Sequence, residues 1–497
     1  MNKLIFTVAF LLFGYTTAVH AVTIAEGPYS PDWQSLQNHT QAPEWFRDAK
    51  FGIYFHWGVY SVPAFGDEWY PRNMHIKKSK ECQHHIETYG EPSKFGYHDF
   101  VPMFKAEHFD PESWAELFAK AGAQFAGPVA EHHDGFSMWD SKLNPWNAKD
   151  KGAMRDIVGE LATAIRAKGM RLVTTFHHER NNQHLVNKNG ELVWEGHYPR
   201  VDGWPTVSED PELRMLYGNI PRLEACDLWL GKLQEVIDGY QPDLIWFDSW
   251  LDEIPEDYQM MFAAHYLNRA KEWNKDVVIT CKQRDLPLEV ALEDFEKGRA
   301  DSMLEEPWLT DDTLSYGSWC YTQDLKIKPV DEVLDVLIDI VSKNGQLLLN
   351  ISPMADGTIP QDQQDVLLAI GKWLGTYGES IYNTRPFLVY GEGPTQMRKG
   401  GHFVGIVRYT KEDIRYTRNG NTVYAILLGR PDKSDRIKMA VFGEEGAAKD
   451  VKVKNVSLLG VSAPVSWKQM NSALIIECPD VQMDDMAVVF KIETDGF

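Results

Sequence analysis

Between residues 45 and 377, short apolar runs alternate with stretches whose apolar residues recur at helical spacing. The helical stretches lie at 111–121, 156–168, 224–239 and 333–341. The apolar runs, which predict strands, lie at 51–57, 124–130, 170–176, 244–247, 277–280 and 346–351. The run at 244–247 contains only large apolar residues, as expected of a strand buried on both faces. This alternation predicts a (β/α)8-like barrel of the α/β class.

After Pro386 the pattern changes to short alternating runs separated by turn residues such as Asn419-Gly420. These runs predict strands at 403–409, 422–428, 437–442, 451–459, 473–477 and 486–492. They indicate an all-β sandwich. We therefore predict a barrel over residues 22–385 and a β-sandwich over residues 386–497.

The first residues have the pattern of an export signal. Lys3 precedes an apolar run at 4–13 that is too short to span a bilayer, and small residues follow at 18–21. This predicts a signal peptide over residues 1–21, a mature chain that begins at Val22, and a secreted or periplasmic protein. The five cysteines include no CxxC pair, which argues against a zinc ribbon or a redox motif, and one disulfide of undetermined pairing stays open.

The charge balance narrows the range of partners. The chain has 50 Lys and Arg against 72 Asp and Glu, a net charge of −22. Such an acidic chain lacks the basic clusters that bind nucleic acid or anionic lipid. Its 12% of aromatic residues fits a site that stacks against flat ligand faces. We therefore expect neither nucleic acid nor membrane as a partner, and the oligomeric state stays open.

Chemically active residues follow several predicted strands. Functional side chains of a barrel lie at the carboxyl ends of its strands, so repetition at equivalent places predicts one shared pocket. The candidate clusters are His56-Trp57, His132-His133-Asp134, His177-His178, Asp248-Ser249-Trp250 and Lys282-Gln283-Arg284.

Two chemistries suit such a pocket. One is a metal-dependent hydrolase built on His132, His133, His177 and His178. The other is glycoside hydrolysis, in which two carboxylates act on the acetal. Tryptophans in or near the predicted rim loops favour the sugar-directed chemistry: Trp57, Trp69, Trp139, Trp250, Trp308 and Trp319.

Four ordered blocks of sequence carry a family resemblance. They read FGIYFHWGVYSVPA at 51–64 with EWY at 68–70, EHHDGF at 131–136, PDLIWFD at 242–248 and KNGQLLLN at 343–350. In these blocks the chain resembles the α-L-fucosidases of glycoside hydrolase family 29. The resemblance implies a barrel followed by a β-sandwich. It also implies hydrolysis with retention through a covalent intermediate, with no metal or organic cofactor.

The resemblance also implies roles for individual residues. Asp248 matches the nucleophile. Residues at matching positions bind the hydroxyl groups and methyl face of the sugar: His56, Glu68, Trp69, His132 and His133. Arg284 matches an arginine on the substrate side of the site. His177 matches a strand end at which other members have an aromatic residue or a histidine. Trp319 lies in Ser318-Trp319-Cys320-Tyr321, where the family commonly has Gly in place of Cys320.

The acid/base is less clearly marked, because the family varies in this loop. Glu296 is the first choice, since it follows Arg284 at a plausible distance and lies just before Gly298. Glu305 and Glu306 are the alternatives. A retaining mechanism requires the acid/base carboxyl about 5–5.5 Å from that of Asp248.

The resulting hypothesis is an exo-acting retaining α-L-fucosidase that acts on fucosylated glycans or fucans. Three alternatives stay open at this point: a related glycosidase acting on α-L-galactosides, the metal-dependent hydrolase, and a sugar-binding relative without catalysis. The sequence leaves the linkage, the leaving group and any sulfation of the substrate open.

Overall fold

Eight parallel strands form a closed barrel in the computed structural model, which describes residues 23–184, 196–395, 397, 399–433 and 435–496. The predicted signal peptide lies outside these residues. The strands are β1 (Phe51–Phe55), β2 (Phe125–Glu131), β3 (Arg171–Phe176), β4 (Leu244–Phe247), β5 (Val278–Lys282), β6 (Leu292–Asp294), β7 (Trp308–Thr313) and β8 (Gly345–Ile351). Strand β1 pairs with both β2 and β8, which closes the ring.

The barrel strands are buried on both faces because alternate side chains belong to two apolar layers. Tyr54, Val173 and Trp246 point into the barrel and pack in its interior. Their neighbours Phe55 and Phe247 point outward and pack in the larger core that contains the helices. Close strand packing excludes a side chain at Gly127, where a Cβ would lie 1.7 Å from the carbonyl oxygen of Val173. The last inward-facing residues of the strands thus lie at one end of the barrel, where the barrel is open.

Helices surround the described barrel strands. They are α1 (Trp33–Leu36), α2 (Glu44–Ala49), α3 (Tyr70–Asn73), α4 (Lys80–Thr88), α5 (Pro111–Ala121), α6 (Ile157–Ala167), α7 (Pro211–Leu216), α8 (Arg222–Tyr240), α9 (Glu256–Glu272), α10 (Val330–Ser342) and α11 (Gln361–Tyr377). Helix α5 shows why the sequence starts and stops these elements. The Asp110 carboxylate accepts from the amides of Glu112 and Ser113, and Gly122 ends the helix at φ 94°. No helix among the described residues is long and apolar enough to cross a bilayer.

Two antiparallel sheets follow the barrel. The first has the order β13-β16-β11-β10-β9 and the second the order β12-β15-β14. Their strands are β9 (Arg385–Glu392), β10 (Ile414–Asn419), β11 (Thr422–Leu427), β12 (Arg436–Met439), β13 (Val453–Leu458), β14 (Ser466–Met470), β15 (Ala473–Glu477) and β16 (Val488–Thr494). Apolar residues from both sheets, including Tyr416, Leu474 and Phe490, form one core. The predicted fold class, a barrel followed by a β-sandwich, is confirmed.

The structure corrects one predicted strand and decides a question that the sequence left open. The strand predicted at 403–409 is wrong, because the backbone amides of Phe403 and Val404 donate to carbonyls of a barrel loop and not to a sandwich strand. Five cysteines stay buried as free thiols: Cys82, Cys226, Cys281, Cys320 and Cys478. The disulfide left open by the sequence therefore does not form.

A buried ion cluster joins the barrel to the first sheet. The Asp339 carboxylate, on α10, accepts from Arg415 Nε on β10 at 2.7 Å and from Lys343 Nζ at 2.8 Å. The three side chains are almost completely buried. Because breaking a buried ion pair leaves an uncompensated charge, this cluster fixes how the barrel and the sheet pack.

Candidate active site

A cavity of about 690 Å³ opens where the barrel strands end. Almost all of the site residues predicted from the sequence line it; Arg284 is the exception. The predicted residues in its wall are His56, Glu68, Trp69, His132, His133, His177, Asp248, Glu296 and Trp319. Their convergence from distant parts of the chain follows from the parallel barrel, which brings all strand ends to one rim.

Asp248 follows β4 directly and is held by three side chains. Its Oδ1 accepts from Lys282 Nζ at 2.9 Å and its Oδ2 accepts from His177 Nδ1 at 3.1 Å. His133 Nε2 lies 3.3 Å from the same Oδ2. Burial alone would raise the pKa of Asp248, but the Lys282 ammonium and the two imidazoles outweigh burial and hold the pKa well below its ordinary value. Asp248 is therefore an ionised carboxylate over the working range of most enzymes.

Lys282 is the last residue of β5 and lies among three carboxylates. Its Nζ is 2.9 Å from Asp248 Oδ1, 2.9 Å from Glu296 Oε2 and 3.4 Å from Asp311 Oδ2. Burial would lower the pKa of Lys282, but the surrounding carboxylates raise it well above its ordinary value. The ammonium thus keeps its charge inside the barrel and connects Asp248 to Glu296.

Glu296 has the opposite electrostatic character to Asp248. It follows β6, and its side chain is 17% exposed. Burial raises the pKa of Glu296 to about 7; the charges of Asp311 and Asp248 add to the rise, and Lys282 reduces it. Asp248 and Glu296 therefore combine an ionised carboxylate with one that carries a proton near neutral pH, which is the pairing that acid/base chemistry requires.

Histidine rings form the wall beside Asp248. The rings of His132 and His177 lie 4.4 Å apart between centroids, and His56 lies 5.2 Å from His177. Burial and the neighbouring imidazoles hold the pKa values of His56 and His132 well below the ordinary value, so both rings are neutral. His56 Nδ1 donates to Asn350 Oδ1 at 2.8 Å. Neutral imidazoles present both donors and acceptors, which suits the binding of hydroxyl groups.

Aromatic rings close the other sides of the cavity. Trp319 packs on His56 with 5.4 Å between ring centroids, and its backbone amide donates to Glu68 Oε2 at 3.0 Å. Trp69 packs on His133 at 5.0 Å. The guanidinium of Arg180 lies 4.6 Å from the Trp69 ring centroid. Flat apolar faces next to hydrogen-bonding groups are what a sugar-binding pocket needs.

The comparisons with known proteins agree with this geometry. The family model described as alpha-L-fucosidase matches residues 16–379, and the model of the alpha-L-fucosidase C-terminal domain matches residues 408–493. The chain belongs to the α-L-fucosidase family. Both matches follow the order seen in the fold, with a barrel first and antiparallel sheets second.

Similarity to individual α-L-fucosidases extends over most of the chain. The tissue alpha-L-fucosidase of Mus musculus is 30% identical over 90% of this chain and 90% of its own length. That of Homo sapiens is 30% identical over 95% of this chain and 92% of its own length. The crystal structure of the Thermotoga maritima alpha-fucosidase in complex with fucose is 30% identical, with a TM-score of 0.72 over 93% of this chain and all of that chain.

Three of the candidate residues named from the sequence lie outside the cavity. Arg284 lies outside the cavity: its side chain is 65% exposed and pairs with Glu293 at 3.2 Å. The reason is local, since Gln283 and Arg284 both have positive φ and turn the chain out of the barrel after Lys282. The alternative acids Glu305 and Glu306 are exposed on the surface, away from the cavity.

The histidine set of the metal-dependent alternative is not brought together. His178 turns away from the cavity, and its Nε2 lies 3.2 Å from the carbonyl oxygen of Trp229. Among the described residues, two other groups lie close enough to hold an ion, and they share His177: one with His56 and His132, the other with His133 and Asp248. The second group includes the carboxylate that already binds the Lys282 ammonium, whose charge opposes a second cation there.

Lys282 and Arg180 follow candidate strand ends but received no role from the sequence, which missed Asp311 and Phe403 altogether; all four line the cavity. Lys282 had a detectable signal, because it occupies the last position of an apolar strand run. Asp248 has a similar place, directly after its own apolar run. Phe403 had none, because its segment lies far along the chain from every barrel strand.

Replacing Lys282 tests whether its buried charge stabilises the fold, and the test does not depend on catalytic activity. We expect Lys282→Met to lower the free energy of unfolding by about 3 kcal/mol, because it leaves buried carboxylates without their cation. The matched control Arg284→Met removes a cation two residues further along the chain and should change the free energy of unfolding by less than about 0.5 kcal/mol, because that pair is exposed. Thermal unfolding followed by calorimetry measures both; equal shifts for the two variants would contradict the arrangement described above.

Proposed function

We propose that Asp248 is the nucleophile and Glu296 the acid/base of a retaining α-L-fucosidase that removes terminal α-L-fucosyl residues from fucosylated glycans. The observation that carries the proposal is the Lys282 ammonium, which lies 2.9 Å from a carboxylate oxygen of each residue. It favours the ionised form of Asp248, whereas Glu296, with a pKa of about 7, keeps a proton to give.

The reaction proceeds in two steps. In the first, Asp248 forms a bond to the anomeric carbon while the glycosidic bond breaks, and Glu296 transfers its proton to the departing oxygen. In the second, a water oxygen bonds to the anomeric carbon and the bond to Asp248 breaks. The water proton passes to Glu296, which restores both residues. Two inversions at the same carbon give net retention.

The separation of the two carboxyls supports retention. Both oxygens lie 2.9 Å from one nitrogen, so they are at most twice that distance apart. Retaining glycosidases place their carboxyls about 5–5.5 Å apart, whereas inverting enzymes leave about 6.5–9.5 Å for a water molecule.

We propose that the cavity wall binds the fucosyl ring. His56, His132 and Glu68 face hydroxyl groups, while Trp69 and Trp319 supply apolar faces for the ring and for its C6 methyl group. The relative from Thermotoga maritima has been crystallised in complex with fucose and with a mechanism-based inhibitor, which supports a fucosyl occupant here. His133 and His177 are occupied by Asp248 and are proposed to orient it.

We further propose that the protein is exported, as a secreted or periplasmic enzyme. Support comes from the N-terminal pattern of Lys3, the short apolar run at 4–13 and the small residues at 18–21. Expression of the full chain in a Gram-negative host should yield active enzyme in the periplasmic fraction, with an N-terminal sequence that begins at Val22. A matched chain that starts at Val22 should stay in the cytoplasm; recovery of the full chain there with residues 1–21 intact would contradict export.

Removal of either carboxylate should lower kcat/KM, and the size of the fall should differ between the two. We expect Asp248→Ala to lower kcat/KM on an aryl α-L-fucoside by about four orders of magnitude. We expect Glu296→Ala to lower it by about 10²–10⁴-fold on substrates with poor leaving groups. The exposed residues Asp252 and Glu305 provide matched controls as Asp252→Ala and Glu305→Ala, which should keep parental rates.

Added azide distinguishes the two roles. With Asp248→Ala, azide replaces the missing nucleophile and should give the β-L-fucosyl azide. With Glu296→Ala, azide attacks the glycosyl-enzyme and should give the α-L-fucosyl azide. Nuclear magnetic resonance identifies the anomers. The same anomer from both variants, or undiminished activity of Asp248→Ala, would overturn the assignment.

The pH dependence should report the proton on Glu296. Because its pKa is raised to about 7, kcat/KM for a substrate with a poor leaving group should fall about tenfold per pH unit above pH 7. The lowered pKa of Asp248 predicts no loss from its protonation down to about pH 4. α-L-Fucosyl fluoride needs no acid for departure of fluoride, so its kcat/KM should lack the alkaline fall. An alkaline fall of equal size for both substrates would place the titrating group elsewhere.

A further inference from the structure

A segment beyond the barrel reaches into the active site. Residues 399–405, here called the rim segment, lie between β9 and β10, yet Phe403 is in the wall of the cavity. This segment also falls between the two family matches, which end at residue 379 and resume at residue 408. The contribution of Phe403 is therefore a property of this chain that neither family match covers.

The rim segment is bonded to the backbone of the Glu296 loop. The Phe403 amide donates to the Glu296 carbonyl at 2.8 Å, and the Val404 amide donates to the Lys297 carbonyl at 3.0 Å. The Glu296 amide donates to His402 Nδ1 at 3.0 Å. An antiparallel bridge between Arg299 and Gly401 continues the contact. Phe403 is thus fixed next to the proposed acid/base, although the two are distant in sequence.

The two chain segments approach closely and hold Phe403 in an unusual conformation. A Cβ on Gly298 would lie 2.3 Å from the Gly401 carbonyl oxygen. Phe403 has φ 52°, a left-handed conformation that is costly for a residue with a side chain. Such conformations persist where surrounding bonds enforce them, often at functional sites.

Phe403 belongs to the exposed part of the cavity wall, unlike the aromatic rings deep in the cavity. The Phe403 side chain is 66% exposed, whereas Trp319 is 8% exposed and His56 2%. A terminal fucosyl ring must lie deep, against Asp248, because it is the reacting sugar. The sugar to which fucose is attached must then lie at the mouth, on the side of Glu296, since Glu296 protonates the oxygen that joins them.

We propose that Phe403 is an aromatic platform for the sugar next to fucose and therefore determines leaving-group specificity. The platform would stack against the C–H face of that ring, as the exposed apolar face of an aromatic side chain does. The inference rests on the proposed function, because it takes Glu296 as the group at the glycosidic oxygen.

The test compares two substrates whose leaving groups need the same acid. One is a fucosylated lactose; the other is methyl α-L-fucoside, whose leaving group has no ring. Both compete in one tube, so the ratio of their kcat/KM values is independent of how much of a variant folds. We expect Phe403→Leu, which keeps apolar bulk but removes the ring, to lower this ratio about three- to tenfold, and Phe403→Trp to keep or raise it.

Two control variants separate loss of the aromatic platform from other effects on activity. Glu296→Ala should lower both rates together, because both leaving groups need its proton. Ile406 is 53% exposed in the same stretch of chain and does not line the cavity, so Ile406→Ala should leave the ratio unchanged. An unchanged ratio for Phe403→Leu, whether or not both rates fall, would overturn the platform. A parental enzyme that released fucose from neither substrate would instead overturn the proposed function.

Discussion

The active site depends on one buried positive charge. Lys282 ends a barrel strand among Asp248, Glu296 and Asp311, and its buried ammonium compensates the charge of these acids. The ammonium satisfies the first carboxylate while it leaves the second with a pKa of about 7. Burial of Glu296 and the ammonium beside Asp248 thus shift the pKa values of two chemically similar groups in opposite directions, which suits the proposed acid and the proposed nucleophile.

The histidines of the cavity wall also affect the charge of the site. A protonated imidazole beside Lys282 would compete for Asp248 and add charge to the site. Burial keeps His56 and His132 neutral, so they contribute directional hydrogen bonds without charge. Their mutual contacts at 4–6 Å fix ring orientation, which leaves a rigid surface that loses little conformational entropy when a ligand binds.

The sequence predicted the barrel and much of the site because parallel strands impose a simple rule. Each apolar run ends at the rim, so His56, His132 and Asp248 could be placed together before any coordinates were known. The rule failed where the backbone leaves the strand. Positive φ at Gln283 and Arg284 turns Arg284 outward, and no local pattern announces that turn. The candidate role of Arg284 therefore came from the family resemblance, whereas in the structure Lys282 faces the cavity and Arg284 does not.

The strand prediction at 403–409 failed because this segment pairs with a distant part of the chain. The alternating run at 403–409 has a strand-like composition, but the partners of Phe403 and Val404 are loop carbonyls near Glu296 and not another sandwich strand. Periodicity reports which side chains are apolar and cannot report which segment a backbone amide meets. Phe403 could only be found in three dimensions.

The close approach of the rim segment to the Glu296 loop has a consequence for how such enzymes diverge. The two proposed catalytic carboxylates follow barrel strands, so their positions depend on the barrel. The mouth of the pocket is built partly by a connection that belongs to neither the barrel nor the sheets. With Phe403 as the proposed platform, mutation and selection can alter the preferred leaving group in one place while the proposed catalytic carboxylates are inherited intact.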